Sequence, residues 1–316
     1  MDKTNANLLF EKIQKFDNII ISKHKTPDWD ALGSAEGLRN IISDNFKNKN
    51  IFVVGATLDG TGLIDDEKLT PEIIKAALLI TVDTANIERL DFENFGDVKE
   101  SFRIDHHINN TPYTDFEYIF SDAIACTQVI TLWANEMQLK ISKTAAEYLY
   151  RGLLTDSNRF AYRNTDERTF EAAKILTRCG INVAEITQDI YKRTLRQAQW
   201  STEAFGRIVI DAETKFAYII ADYKDIKKYN LTNDEFKSAL GAMGNIIEID
   251  VWALIYELTE TSGIKVSLRS KKIDINKIAM KYGGGGHLLA SGGYLDSWDD
   301  LDAFLLDVKN YLKGEK

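Results

Sequence analysis

Apolar residues in the first half of the chain follow two alternating rhythms: short unbroken runs, and longer stretches in which they recur every three or four positions. Unbroken runs bounded by polar turns read as strands buried on both faces, and the longer recurrence reads as helix. IIIS (19–22), IFVVG (51–55), LLITV (78–82) and SFRI (101–104) are the expected strands, with helices near 31–43 and 70–77. Such alternation predicts a parallel sheet covered by helices. From about 125 to 194 longer helical patterns take over. Loops are short, and proline occurs only as Pro27, Pro71 and Pro112.

The rhythm changes after a polar, helix-patterned run at 187–204. Beyond it come strand-like RIVID, FAYIIAD, VWALIYEL and KVSLRS, with helices expected around 232–242, 274–282 and 298–312. The predicted fold class is therefore α/β: a parallel-sheet N-terminal domain (1–186), a helical link (187–204) and a smaller mixed α/β C-terminal domain (205–316). A length of 316 residues agrees with two cores, since single cores stop growing at about 250–300 residues.

Composition narrows the partners. Charged residues make up 28% of the chain and the net charge is −9, which argues against a protein that coats long nucleic acid, because phosphate binding needs basic surface. A nucleic-acid ligand should be short. Charges run through the N-terminal segment where a secretory peptide needs an apolar run, and no stretch has the length of a membrane span, so a cytoplasmic, membrane-free protein is expected. Cys126 and Cys179 lack CxxC spacing and read as reduced thiols.

All four histidines sit beside aspartates or glycines. His24, Asp28 and Asp30 share one loop stiffened by Pro27. Asp83 follows LLITV, and Asp105, His106 and His107 follow SFRI, so these groups fall at the carboxyl ends of parallel strands, where open α/β sheets bind ligands. Asp156 ends a helical stretch. Singly, an aspartate after a strand reads as readily as a turn or helix cap. Together these carboxylates would repel one another without a cation, and hard carboxylates with imidazoles suit Mn²⁺, with Mg²⁺, Co²⁺ and Zn²⁺ as further fits. A second constellation, KYGGGGHLLASGG (281–293), places Gly285, Gly286 and His287 in a run that serves either as an anion cradle of backbone N–H groups or as a hinge or close strand crossing. Arg269 in KVSLRS reads as a phosphate fork or a solvated strand residue.

These motifs resemble those of the DHH phosphoesterase superfamily, and within it the DHH–DHHA1 branch that includes stand-alone oligoribonucleases and pAp phosphatases. HKTPDWDALGS resembles the first motif, VDT (82–84) the second, IDHH (104–107) the third, TDS (155–157) the fourth, and GGGGH (283–287) the C-terminal signature. The resemblance spans nearly the whole chain. It implies two divalent ions, one held by His24, Asp28 and Asp83 and the other by Asp30, Asp83, His106 and Asp156, with Asp83 bridging. His107 is then left for the scissile phosphate or leaving oxygen, and Asp105 orients the neighbouring imidazole. The resemblance also implies that Arg269, Gly285, Gly286 and His287 grip the rest of the substrate, and that the protein is a homodimer.

The expected activity is two-metal hydrolysis of short oligoribonucleotides to mononucleotides, or of 3′-phosphoadenosine 5′-phosphate to AMP. Alternatives are a phosphodiesterase of linear pApA or cyclic di-AMP, an inorganic pyrophosphatase or exopolyphosphatase, and a non-catalytic nucleotide-binding module. The sequence departs from the family at Trp29, where glycine is usual. Its indole either stacks on a base or covers the metal loop from outside.

Overall fold

The computed structural model describes residues 3–60, 62–107, 111–257 and 263–314. These form two compact units that divide after Tyr191.

The first unit runs α1 (Lys3–Lys15), β1 (Asn18–Ser22), α2 (Trp29–Asn45), β2 (Asn50–Val53), α3 (Pro71–Ala76), β3 (Leu78–Val82), β4 (Glu100–Asp105), β5 (Phe116–Ile119), α4 (Cys126–Glu136), α5 (Lys143–Asp156), α6 (Glu167–Arg178) and α7 (Val183–Tyr191). Its sheet is wholly parallel, in the order β2-β1-β3-β4-β5. All five residues of β3 are buried, as expected of a strand with helices on both faces. The chain leaves β1 toward β2 and returns on the other side as β3, so β1 and β3 flank the point where strand order reverses. Ligands bind beside the carboxyl ends of such strands.

Two elements here escape the apolar pattern. Helix α1 buries Ala6, Leu9 and Ile13 along one stripe, and β5 is an edge strand of only FEYI, three of its four positions half-buried.

Helix α2 packs closely on α5, and Gly152 permits it. A Cβ there would lie 2.6 Å from Thr127 Cγ2 and 2.8 Å from Asp30 Oδ1, below any ordinary contact.

The second unit runs α8 (Leu195–Phe205), β6 (Val209–Asp211), β7 (Phe216–Ala221), α9 (Tyr223–Tyr229), α10 (Asn233–Lys237), β8 (Val251–Glu257), β9 (Ile264–Ser270), α11 (Asn276–Lys281), β10 (Gly285–His287), β11 (Ala290–Leu295) and α12 (Leu301–Gly314). Its sheet order is β10-β11-β9-β8-β7-β6, with only β7 and β8 parallel. A mixed sheet with helices matches the class expected of this half. Across 187–204 the chain finishes α7, breaks, and restarts as α8 under a capping box made by Thr194 and Gln197. Trp200 in α8 is fully buried in the second unit, so this run contributes to a core.

No helix among the described residues is long and apolar enough to cross a membrane.

Candidate metal centre

His24, Asp83, Asp105 and His106 converge at the carboxyl edge of the first sheet because each closes or follows a neighbouring strand. Asp28 caps α2, its Oδ1 accepting from the amides of Asp30 and Ala31 at 2.9 and 3.0 Å. Capping occupies one carboxylate oxygen and leaves Oδ2 at 3.9 Å from His24 Nε2.

Asp83 lies between two histidines. Its Oδ2 is 3.5 Å from His24 Nε2 and its Oδ1 is 3.3 Å from His106 Nε2. Its backbone is left-handed, with φ of 48°. A non-glycine residue held there stores strain on the order of 1–3 kcal/mol, and such strain clusters at functional sites.

Each imidazole is oriented from behind. His24 Nδ1 donates to Lys25 O at 2.8 Å and His106 Nδ1 to Ala123 O at 3.2 Å, so both rings turn Nε2 toward the carboxylates. A hydrogen bond at one ring nitrogen sets which nitrogen remains to ligate.

Asp30, buried at the start of α2, reaches α4. Its Oδ2 accepts from Cys126 N at 2.6 Å, and its Oδ1 from Thr127 N at 3.0 Å and Thr127 Oγ1 at 2.6 Å. Helix α4 has no capping side chain of its own; Asp30 satisfies its first amides and meets the positive end of its dipole. From the other side, His106 Nε2 lies 3.7 Å from Asp30 Oδ2 and 3.7 Å from Asp156 Oδ2.

The ligand atoms of His24, Asp28 and Asp83 lie within 4.8 Å of one another, and so do those of Asp30, His106 and Asp156. Asp83 also falls in a third group with Asp105, His106 and His107. The buried atoms Asp83 Oδ1 and His106 Nε2 have no hydrogen-bond partner, a costly arrangement unless something else occupies them.

Electrostatics point the same way. Burial pushes the Asp30 carboxyl up to about 7, with the charge of Asp83 adding to it. Desolvation and the charges of Asp30 and Asp28 hold Asp156 well above the usual carboxylate range. Burial opposes a charge on Asp83, but the imidazoles of His106 and His24 that face it outweigh burial and hold that carboxyl far down. Two acids resist ionisation, first because they are buried and then because other carboxylates crowd them. A cation among them removes that conflict, so the donor set fits divalent metal.

Arg103, fully buried on β4, clasps Asp105 Oδ2 through Nε at 3.0 Å and Nη2 at 2.6 Å. Asp105 Oδ1 accepts from the amides of His106 and His107, at 2.7 and 3.1 Å, and from His107 Nδ1 at 2.8 Å. Burial opposes ionisation of Asp105, but His107 and then Arg103 keep its carboxyl below the usual range. Asp105 thus orients one imidazole directly and the backbone of both.

Arg103 and Thr127 are site residues that the sequence reading missed. An arginine inside the buried run SFRID was the one available signal, since a charge on such a strand requires a buried partner. Lys23, also buried, gives Nζ to Val54 O at 2.9 Å and ties the end of β1 to that of β2.

Trp29 is half-buried, with the Arg151 guanidinium 4.7 Å from its ring and Arg151 fixed by Asp189 at 2.7 Å.

In the second unit, Arg269 on β9 pairs with Ala290 on β11, which pairs with His287 on β10. The three stand in one cross-strand row; the side chain of His287 lies outside the described residues. Gly285 and Gly286 are strand residues opposite Gly292 and Ser291. Beside them a Cβ on Gly284 would come within 1.8 Å of Gly292 O, so close backbone approach accounts for that glycine.

The five-stranded parallel sheet and paired His–Asp groups at its switch point define an α/β protein built around a candidate dinuclear metal centre. Residues 18–153 match the DHH family, N-terminal domain, and residues 213–314 match the DHHA1 domain. A Streptococcus mutans protein named probable bifunctional oligoribonuclease and PAP phosphatase NrnA is 35% identical over 98% of this chain and 100% of its own. The Bacillus subtilis bifunctional oligoribonuclease and PAP phosphatase NrnA is 33% identical over 96% and 98%. The chain belongs to the DHH–DHHA1 phosphoesterase family. In fold it is similar to an exopolyphosphatase-related protein from Bacteroides fragilis, with a TM-score of 0.88, 21% identity and 98% of each chain covered. It is also similar to exonuclease RecJ bound to manganese, with a TM-score of 0.50, 15% identity, and 98% of this chain and 94% of that one covered.

Proposed function

We propose that this protein is a cytoplasmic two-metal phosphoesterase that cuts short oligoribonucleotides to mononucleotides and removes the 3′-phosphate of 3′-phosphoadenosine 5′-phosphate. The observation that carries the reading is Asp83, whose two carboxylate oxygens face two histidines from separate ligand groups. The substrate is assigned from the relatives' names.

His24, Asp28 and Asp83 would hold one ion, and Asp30, His106, Asp156 and Asp83 the other. Mn²⁺ is the first choice for this mixture of carboxylate and imidazole, with Mg²⁺ or Co²⁺ next. Bound there, the ions supply an acidified water and offset charge on the phosphoryl oxygens. The protein's own contribution is orientation: carbonyls behind His24 and His106 hold Nε2 forward, and Thr127 fixes Asp30. His107, anchored through Nδ1 to Asp105, is assigned the contact with the phosphoryl or leaving oxygen. Residues 1–186 are assigned the cutting. Residues 205–316 hold the remainder of the substrate through Arg269, Gly285, Gly286 and His287.

Pure protein with Mn²⁺ should release mononucleotides from short RNAs and phosphate from pAp, and Asp83→Ala should abolish both. Linear pApA and cyclic di-AMP belong in the same panel. Failure to release product from any of them would overturn the reading.

A further inference from the structure

Immediately after Asp156 the chain does something unusual. Asn158, Arg159 and Phe160 have φ of 47°, 61° and 64°, three successive non-glycine residues in the left-handed region, where single residues are the norm. The surroundings hold this turn in place. Ser157 Oγ accepts from Phe160 N at 3.0 Å, and Leu154 O accepts from Arg159 N at 2.9 Å. The Phe160 ring stacks on Phe170 at 5.5 Å and lies 6.5 Å from Tyr150.

The turn presents Arg159. Its guanidinium lies 5.0 Å from the centre of the Tyr191 ring, and the Tyr191 hydroxyl returns to the same Leu154 carbonyl at 3.4 Å. Arg159 and Tyr191 are therefore both tied to the last turn of α5, the turn that ends in Asp156. Arg159 is exposed and forms no ion pair among the described residues, and the rings of Tyr162 and Phe170 are exposed as well. An exposed planar cation already held over an aromatic ring is preorganised for another flat π-system. Nucleobases stack on guanidinium planes and aromatic rings with little regard to sequence.

We propose that Arg159, supported by Tyr191, is a platform on which a substrate nucleobase stacks beside the metal centre. This rests on the nucleotide-hydrolase reading above and adds a base contact within the first unit. Stored backbone strain in the turn fits such a role, because it fixes a side chain that the core does not need.

The test compares Arg159→Ala, Arg159→Lys and Tyr191→Leu with the unaltered protein, on a dinucleotide and on its abasic counterpart, which keeps the sugar-phosphate backbone. Arg159→Ala should raise KM for the dinucleotide by roughly tenfold, from the loss of one stacked base, and leave the abasic compound unchanged. Arg159→Lys, which keeps the charge and loses the plane, should raise KM nearly as much, and Tyr191→Leu should shift it the same way. A dinucleotide containing 2-aminopurine should lose fluorescence on binding the unaltered protein and not on binding Arg159→Ala. Full rescue by lysine, an equal KM rise for the abasic compound, or unchanged KM and quenching in Arg159→Ala would overturn the platform. Intact quenching without any turnover by the unaltered protein would overturn the hydrolase reading instead.

Discussion

Thr127 grips Asp30 twice, through its amide at 3.0 Å and its hydroxyl at 2.6 Å from the same carboxylate oxygen. One threonine at the start of α4 thereby sets the direction of an acid 97 residues away in sequence. Thr127→Val keeps the shape and removes the hydroxyl. Partners behind a ligand typically tune metal affinity by about tenfold to a hundredfold, so Mn²⁺ affinity should fall by that order in a calorimetric titration. The fold should survive, at a cost of about 1–2 kcal/mol from the lost hydrogen bond.

Gly152 makes a steric prediction at the same place. In Gly152→Ala the new methyl lies 2.8 Å from Asp30 Oδ1 and 2.9 Å from Asp30 Cα, so α2 and α5 must separate. Overpacking of this kind costs about 1–3 kcal/mol, measured by urea unfolding. Gly96→Ala, where a methyl meets nothing within 4 Å, should stay within about 0.5 kcal/mol.

Metal should stabilise the first unit. The cluster leaves Asp83 Oδ1 and His106 Nε2 without partners, and ions bound only by the folded state add stability by mass action. At a hundredfold excess over Kd the gain is about 2.7 kcal/mol, or roughly 5–10 °C in melting temperature for a unit of this size. Scanning calorimetry should show the rise with Mn²⁺ and its reversal by EDTA. No rise in the native protein, or an undiminished rise in Asp83→Ala, would contradict the ligand assignment.

Arg103 predicts a different pattern. Replacing it with methionine leaves Asp105 charged, buried and without its bidentate partner, which costs about 3–5 kcal/mol in comparable buried pairs. Removing both charges in Arg103→Met with Asp105→Leu should recover part of that loss in urea unfolding, because only the more exposed Glu117, 3.7 Å from Arg103, then loses its cation. Turnover should stay low in the double variant, since His107 Nδ1 has lost the acceptor at 2.8 Å that orients it. Recovery of activity alongside stability would show that Asp105 serves only the fold.

Much of this was legible along the chain because parallel strands announce themselves locally. LLITV is apolar at four of five positions and forms β3 with those bounds, and the acids that follow such runs must gather at one sheet edge. The strand FEYI and the hairpin made by β10 and β11 were not legible, for the opposite reason. Half-buried edge positions and glycine-rich segments carry little apolar periodicity, and only pairing with a neighbour makes them strands.

The sequence by itself located strands β1 to β4 and the acids and imidazoles that follow β1, β3 and β4, because those follow from local composition and chain direction. The division of the ligands is implied by the family resemblance, and its geometry comes from tertiary structure. Asp83 is one aspartate in the sequence; in space its two oxygens face His24 and His106, and no local pattern encodes which way a carboxylate turns. The same holds for Thr127 on Asp30 and Arg159 on Tyr191. Each depends on elements distant in the chain being packed together, and only the folded core brings those partners within hydrogen-bonding or stacking range.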